Sequence, residues 1–180
     1  MREDSKASWP WVLGLTALAY VLTGWLALRL ALAPSFAAPL YPSAGIAFAA
    51  VWVYGRPALA AAALGAFSVN VGLSAARGQF DLSALGVPLL IALGAALQAW
   101  LGCLLVRRFV AQPLTLAEPR DIWRFLLLAA PVACLGNASV ATAALGLAGA
   151  VPPAALGFTW WTWWIGDTLG VLIAAPVVLA

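Results

Sequence analysis

A carboxylate, Asp167, follows four tryptophans in the run Trp160-Trp-Thr-Trp-Trp-Ile-Gly166-Asp167-Thr-Leu-Gly170, in a stretch apolar enough to sit inside a bilayer. A charged side chain in hydrocarbon costs about 2.5 to 3.5 kcal/mol on insertion scales, so Asp167 requires a partner, a water-filled cavity or a function. At helical spacing Trp160, Trp164 and Asp167 share one face, while Gly166 and Gly170 mark an adjoining face on which another helix can approach closely. The first face is the candidate for ligand binding or signalling; the second is a packing face. Two readings of Asp167 stand side by side: recognition of a ligand, or internal pairing with Arg29 while the tryptophans form an interfacial aromatic belt.

Thr23, Asn70 and Asn137 are the other candidates. The two asparagines sit among small residues, as Ser68-Val-Asn70 and Gly136-Asn137-Ala-Ser139. The commonest use of an amide there is an interhelical hydrogen bond, worth around 0.6 kcal/mol on average. Gln98 reads as glue of the same kind. Acid–base catalysis would need a second carboxylate beside Asp167, but Glu118 and Asp121, the nearest along the chain, belong to a polar connection far from it. The chain has no histidine, no Gly-rich phosphate loop, no nucleophile–base pair and no metal-ligand cluster. No catalytic residue, no metal and no cofactor is expected, haem included. Cys103 and Cys134, in separate apolar segments, read as small buried hydrophobes.

The elements that must position these residues are membrane helices. Hydrophobic residues make up 65% of the 180-residue chain and charged residues 8%, far below the quarter or so that is charged in soluble domains. At about 20 residues per crossing there is room for roughly five to seven helices and almost nothing outside them. The pattern predicts an all-α polytopic transmembrane bundle of about six helices: a cytoplasmic tail over 1–10, then a membrane domain over 11–180 with spans near 11–33, 42–54, 57–76, 84–107, 122–148 and 159–180. The first span is too long, and too poorly followed by a cleavage site, for a signal peptide. The second is short and bracketed by Pro39, Pro42 and Pro57, so its approach from Ala38 to Gly45 reads as irregular backbone buried in protein, a kind of break that often lines a cavity.

Charge sets an expected orientation. With a cytoplasmic amino terminus, Arg2, Lys6, Arg56, Arg107, Arg108, Arg120 and Arg124 fall on the cytoplasmic side, and only Arg29 and Arg77 of the nine basic residues face away. At 1.5 Å of rise per residue, Thr23 and Asp167 then lie ~18 Å above the cytoplasmic boundary, Asn70 ~20 Å and Asn137 ~22 Å. Four polar residues from four helices thus fall in one layer of the outer half.

The segment Tyr41-Pro-Ser-Ala-Gly45-Ile-Ala-Phe-Ala-Ala-Val-Trp-Val-Tyr-Gly55-Arg56, with Leu64-Gly65-Ala-Phe-Ser-Val-Asn70 after it, resembles the start of the MASE1 domain, an integral membrane sensory domain of bacteria. Three further stretches resemble it in the same order: Ile91 to Gln98 running on to Arg107-Arg108, Asp121-Ile-Trp-Arg-Phe125, and Trp163-Trp164-Ile-Gly166-Asp167-Thr-Leu-Gly170-Val-Leu-Ile-Ala-Ala-Pro176. Tyr41 stands where the family usually has tryptophan. The chain stops shortly after Pro176, where the family usually continues into further membrane helices, so these residues are expected to be the amino-terminal portion of such a domain.

The resemblance implies a signal-input module of the bacterial cytoplasmic membrane, in a family typically joined to cytoplasmic histidine kinase, PAS, diguanylate cyclase or phosphodiesterase domains. The implied partners are the lipid bilayer, an output module absent from these residues, and a second copy or another membrane protein. No nucleic-acid partner is expected, because Arg107 and Arg108 read as anchors near anionic headgroups. The domain itself is not expected to be an enzyme. Two other classes fit the same helix arithmetic: a substrate-binding membrane subunit of a small-molecule importer, and a non-sensing anchor that dimerises an effector.

Overall fold

The computed structural model describes residues 9–31, 37–78, 85–114 and 118–179. Most of the expected amino-terminal tail, with Arg2 and Lys6, and the loop around Asp81 lie outside the described residues. Among these the chain is all-α: α1 (Trp9–Leu28), α2 (Pro42–Tyr54), α3 (Pro57–Ala76), α4 (Gly86–Phe109), α5 (Pro119–Leu147) and α6 (Leu156–Leu179). One 3-10 turn, Pro153–Ala155, leads into α6. Five of these helices are long and apolar enough to cross a membrane; α2, with 13 residues, falls short.

The helix ends follow from local chemistry. Pro42, Pro57 and Pro119 occupy the first turns of α2, α3 and α5, where a missing N–H costs nothing and a fixed φ suits the helix. That proline starts α5 at residue 119, ahead of the expected 122. Helix α1 stops at Leu28 and does not run on to residue 33, because the N–H groups of Arg29 and Leu30 bond three residues back to Leu26 and Ala27 and tighten the last turn. Gly55, at φ +74°, makes the left-handed turn between α2 and α3.

Helix α5 contains an interruption. Pro131 has no N–H and its ring crowds the carbonyl four residues back. The helix widens there into a π turn over Leu128–Val132, joining Pro119–Leu127 to Ala133–Leu147.

Alanine dominates the core: Ala49, Ala62, Ala130, Ala133, Ala138, Ala141 and Ala175 are fully shielded, with Phe48 and Phe125 among the few large buried side chains. Hydrocarbon gives no hydrophobic drive for helix to meet helix, so close backbone approach across small residues must supply the contact. Leu15, Leu18, Leu22 and Leu26 of α1 point outward, the apolar surface that lipid requires. Helix α2 sits at the centre, packed on α1, α3, α4 and α6.

At one end of the bundle the last turns of α2 and α4 meet the first turn of α5. The Arg107 guanidinium donates to the Trp52 carbonyl at 3.0 Å and lies 5.1 Å from the Trp52 ring centroid, while Arg124 donates to the Phe109 carbonyl at 3.1 Å. Both cations therefore satisfy orphan carbonyls at helix carboxyl ends.

Candidate functional site

Helix α6 carries Asp167 into the interior, where the residue is 3% exposed. Its Oδ2 accepts from Asn137 Nδ2 of α5 at 2.9 Å, and the Gln98 amide of α4 also donates to the carboxylate. Both amides turn their N–H groups to Asp167, and as a result Asn137 Oδ1 and Gln98 Oε1 are buried without a hydrogen-bond partner. Leaving a buried acceptor unpaired costs about 1 to 3 kcal/mol. Asn137 Oδ1 rests on Gly94, where a Cβ would stand 2.5 Å away.

Beside the carboxylate lies a cavity of about 30 Å³ whose wall includes Tyr20, Tyr41, Asn70, Asn137, Trp163 and Asp167. That volume holds about two waters. Asn70 donates one N–H of its Nδ2 to the Ala66 carbonyl of its own helix at 2.8 Å, which leaves its carbonyl oxygen and a second N–H to offer elsewhere. The rings of Tyr20 and Tyr41 meet edge to face at 6.0 Å. The Tyr41 hydroxyl hydrogen-bonds with the hydroxyls of Tyr20 and Ser43. Ser43 in turn donates to the Tyr20 carbonyl and lies 2.8 Å from Thr23 Oγ1.

Of the expected polar layer, Asn70, Asn137 and Asp167 border one cavity, whereas Thr23 does not line it. Thr23 bonds to the Ala19 and Tyr20 carbonyls of its own helix and to the Ser43 hydroxyl. Gly166 and Gly170 abut backbone. A Cβ on Gly166 would run into the Ala38 carbonyl and one on Gly170 into the Tyr41 carbonyl, while Gly45 lies equally close to the Gly170 carbonyl. The Tyr41 N–H donates to the Gly166 carbonyl at 2.9 Å. The non-helical approach to α2 is thereby fastened to α6 one residue before Asp167.

Two expectations are corrected. Trp160 and Trp164 do not border the cavity. They stack on each other at 6.0 Å and turn toward α5, Trp160 Nε1 donating to Ser139 Oγ at 3.0 Å and Trp164 Nε1 to the Pro131 carbonyl at 2.8 Å. Trp163, four residues before Asp167, faces the cavity instead, because α5 covers the other flank of the helix. Arg29 is not the ion-pair partner of Asp167: it is exposed in the turn after α1, and the ion pairs among the described residues are Arg120 with Glu118 and Arg124 with Asp121.

Sequence reasoning passed over Trp163, Tyr20 and Tyr41 as wall residues. The one available signal was the four-residue spacing of Trp163 from Asp167. Among the described residues no three of His, Cys, Asp and Glu gather as metal ligands. Cys103 and Cys134 are buried and unbridged, the first donating weakly to the Phe48 carbonyl.

Compared with protein-family models, residues 11–180 match MASE1. No curated protein and no solved structure gives a significant match.

Proposed function

Because the chain belongs to the MASE1 family of membrane sensor domains, we propose that it is the signal-input part of a bacterial inner-membrane protein and relays a stimulus to a cytoplasmic output module such as a histidine kinase or diguanylate cyclase. The observation that carries this reading is Asp167, held by amides of α4 and α5 at the wall of a cavity that α1 and α3 also line. A ligand at that wall touches several helices at once, and any difference in its affinity for two helix arrangements shifts their populations. Helix α6 and the approach to α2 would respond together, since the Tyr41–Gly166 hydrogen bond and the glycine contacts couple them.

In this reading the amino terminus and the carboxyl end of α6 face the cytoplasm, on the side of Arg56, Arg107, Arg108, Arg120 and Arg124. Importers of small organic substrates need pockets of about 300 to 1,000 Å³. A cavity of about 30 Å³ disfavours that class.

The test is Asp167→Asn in the full-length protein, read through its own output activity in the membrane. The expected result is loss of stimulus-dependent output, or output locked at one level, with normal membrane abundance. Unchanged regulation would return Asp167 to a structural role and the domain to a simple anchor.

A further inference from the structure

The cavity beside Asp167 offers a particular chemistry, and its parts can be counted by type. The carboxylate brings one negative charge. Asn70 brings a carbonyl oxygen, one of its two N–H groups being taken by the Ala66 carbonyl, and Tyr20 and Tyr41 lie on the same wall. Non-helical backbone at Ala37 and Ala38 completes part of the wall, the kind of unwound segment on which membrane proteins place cation sites. No cationic side chain lines the cavity among the described residues.

Such a set of oxygen donors suits a hard cation. One carboxylate, with no second acidic group or histidine among the described residues that line the cavity, matches a single positive charge better than a divalent or transition-metal ion. The size agrees, because about 30 Å³ admits an ion with a water but excludes an amino acid or sugar. The two amides that donate to Asp167 favour its charged form, and a buried charge without a counter-charge is strongly disfavoured.

We propose that this cavity binds a small monovalent cation, an alkali-metal ion or ammonium, through Asp167, Asn70, Tyr20 and Tyr41. The proposal rests on the reading of this cavity as the input site and names the class of its ligand. Trp163, one of the chain's ten tryptophans, lies on the same wall, and the ion adds an attraction that draws α1, α2 and α3 toward α6.

The full chain in nanodiscs of zwitterionic lipid is titrated with lithium, sodium, potassium and ammonium chlorides. Ionic strength is held constant with N-methylglucamine chloride at fixed pH, and thermal unfolding and tryptophan emission are recorded. One or more of the small cations is expected to raise the unfolding midpoint saturably, by several degrees over N-methylglucamine. Asp167→Asn should remove that dependence, and Asn70→Leu, which leaves the Asp167 amide contacts in place, should weaken it at least tenfold. The proposal is overturned by equal midpoints in all salts, by an undiminished response in both variants, or by a response obtained with pH alone and indifferent to the cation. If no cation acts while Asp167→Asn still abolishes regulated output, the sensor reading stands and the cation falls. If cations bind but output ignores Asp167, the reverse holds.

Discussion

Asn137 Nδ2 lies 2.9 Å from Asp167 Oδ2, joining α5 to α6 at the cavity wall. A charged acceptor makes this contact stronger than the ordinary interhelical amide bond of about 0.6 kcal/mol, with about 1.5 to 3 kcal/mol as the range for charged partners. A double-mutant cycle with Asn137→Ala and Asp167→Ala, read by reversible unfolding in lipid or detergent, is expected to give a coupling energy inside those bounds. A coupling of zero would mean that the pair does not form in the membrane.

Gly94 controls that pair from a third helix. A methyl group there would meet Asn137 Oδ1 at 2.5 Å, so Gly94→Ala is expected to destabilise by about 1 to 3 kcal/mol, the usual cost of overpacking. Adding Asn137→Ala should recover part of the loss, because neighbours that share one contact are not additive. Additive effects would place the damage elsewhere.

Trp164 Nε1 donates to the Pro131 carbonyl at 2.8 Å, inside the π turn of α5. Trp164→Phe keeps most of the ring and removes the donor, at an expected cost of about 0.5 to 1.5 kcal/mol. Amide exchange should quicken around Leu128–Val132. Trp161→Phe, at an exposed position, is the comparison and should stay within about 0.5 kcal/mol of the parent.

The crossing of α2 and α6 tolerates no side chain on Gly170. Its Cβ would collide with the Tyr41 carbonyl, and backbone on both sides leaves nothing flexible to move. Gly170→Ala is expected to cost at least about 3 kcal/mol, the upper end of overpacking, and to lower the yield of folded protein. Gly157, also on α6, has open space at its Cβ position. Gly157→Ala should be neutral or gain up to about 1 kcal/mol of helix propensity.

Orientation is tested at the two ends of α5. Single cysteines are placed at Arg120 and Ala150, both exposed, with Cys103 and Cys134 left in place because they are buried. Impermeant maleimide should label position 150 in intact cells and position 120 only after the inner membrane is opened. The opposite pattern would invert the proposed topology.

Much of the bundle was legible because apolar runs in a chain with so few charges have few other uses. Asp167 announced itself through the cost of a charge in hydrocarbon. Asn70 and Asn137 could be placed near it because helical rise converts residue number into depth. Facing direction was harder. Trp160, Trp163 and Trp164 all lie within reach of the Asp167 side of α6, and only the position of α5 decides which of them reaches the cavity. Gly166 and Gly170 announced a close approach, but not that its partner would be the unwound segment ahead of α2. The π turn at Pro131 left no periodic trace in a run that is apolar all round.

The shortness of α2 has a consequence for how the domain is made. Its 13 residues, about 20 Å of helix, fall short of the ~30 Å hydrocarbon core, so lipid alone gives the nascent segment a weak hold. What keeps it in place is the protein packed around it, including the Gly45–Gly170 contact and the Tyr41–Gly166 hydrogen bond to α6. Helix α6 is the last of the described helices to leave the ribosome. The second helix made therefore waits, with Tyr41 N–H unpaired and Gly45 uncovered, for the sixth.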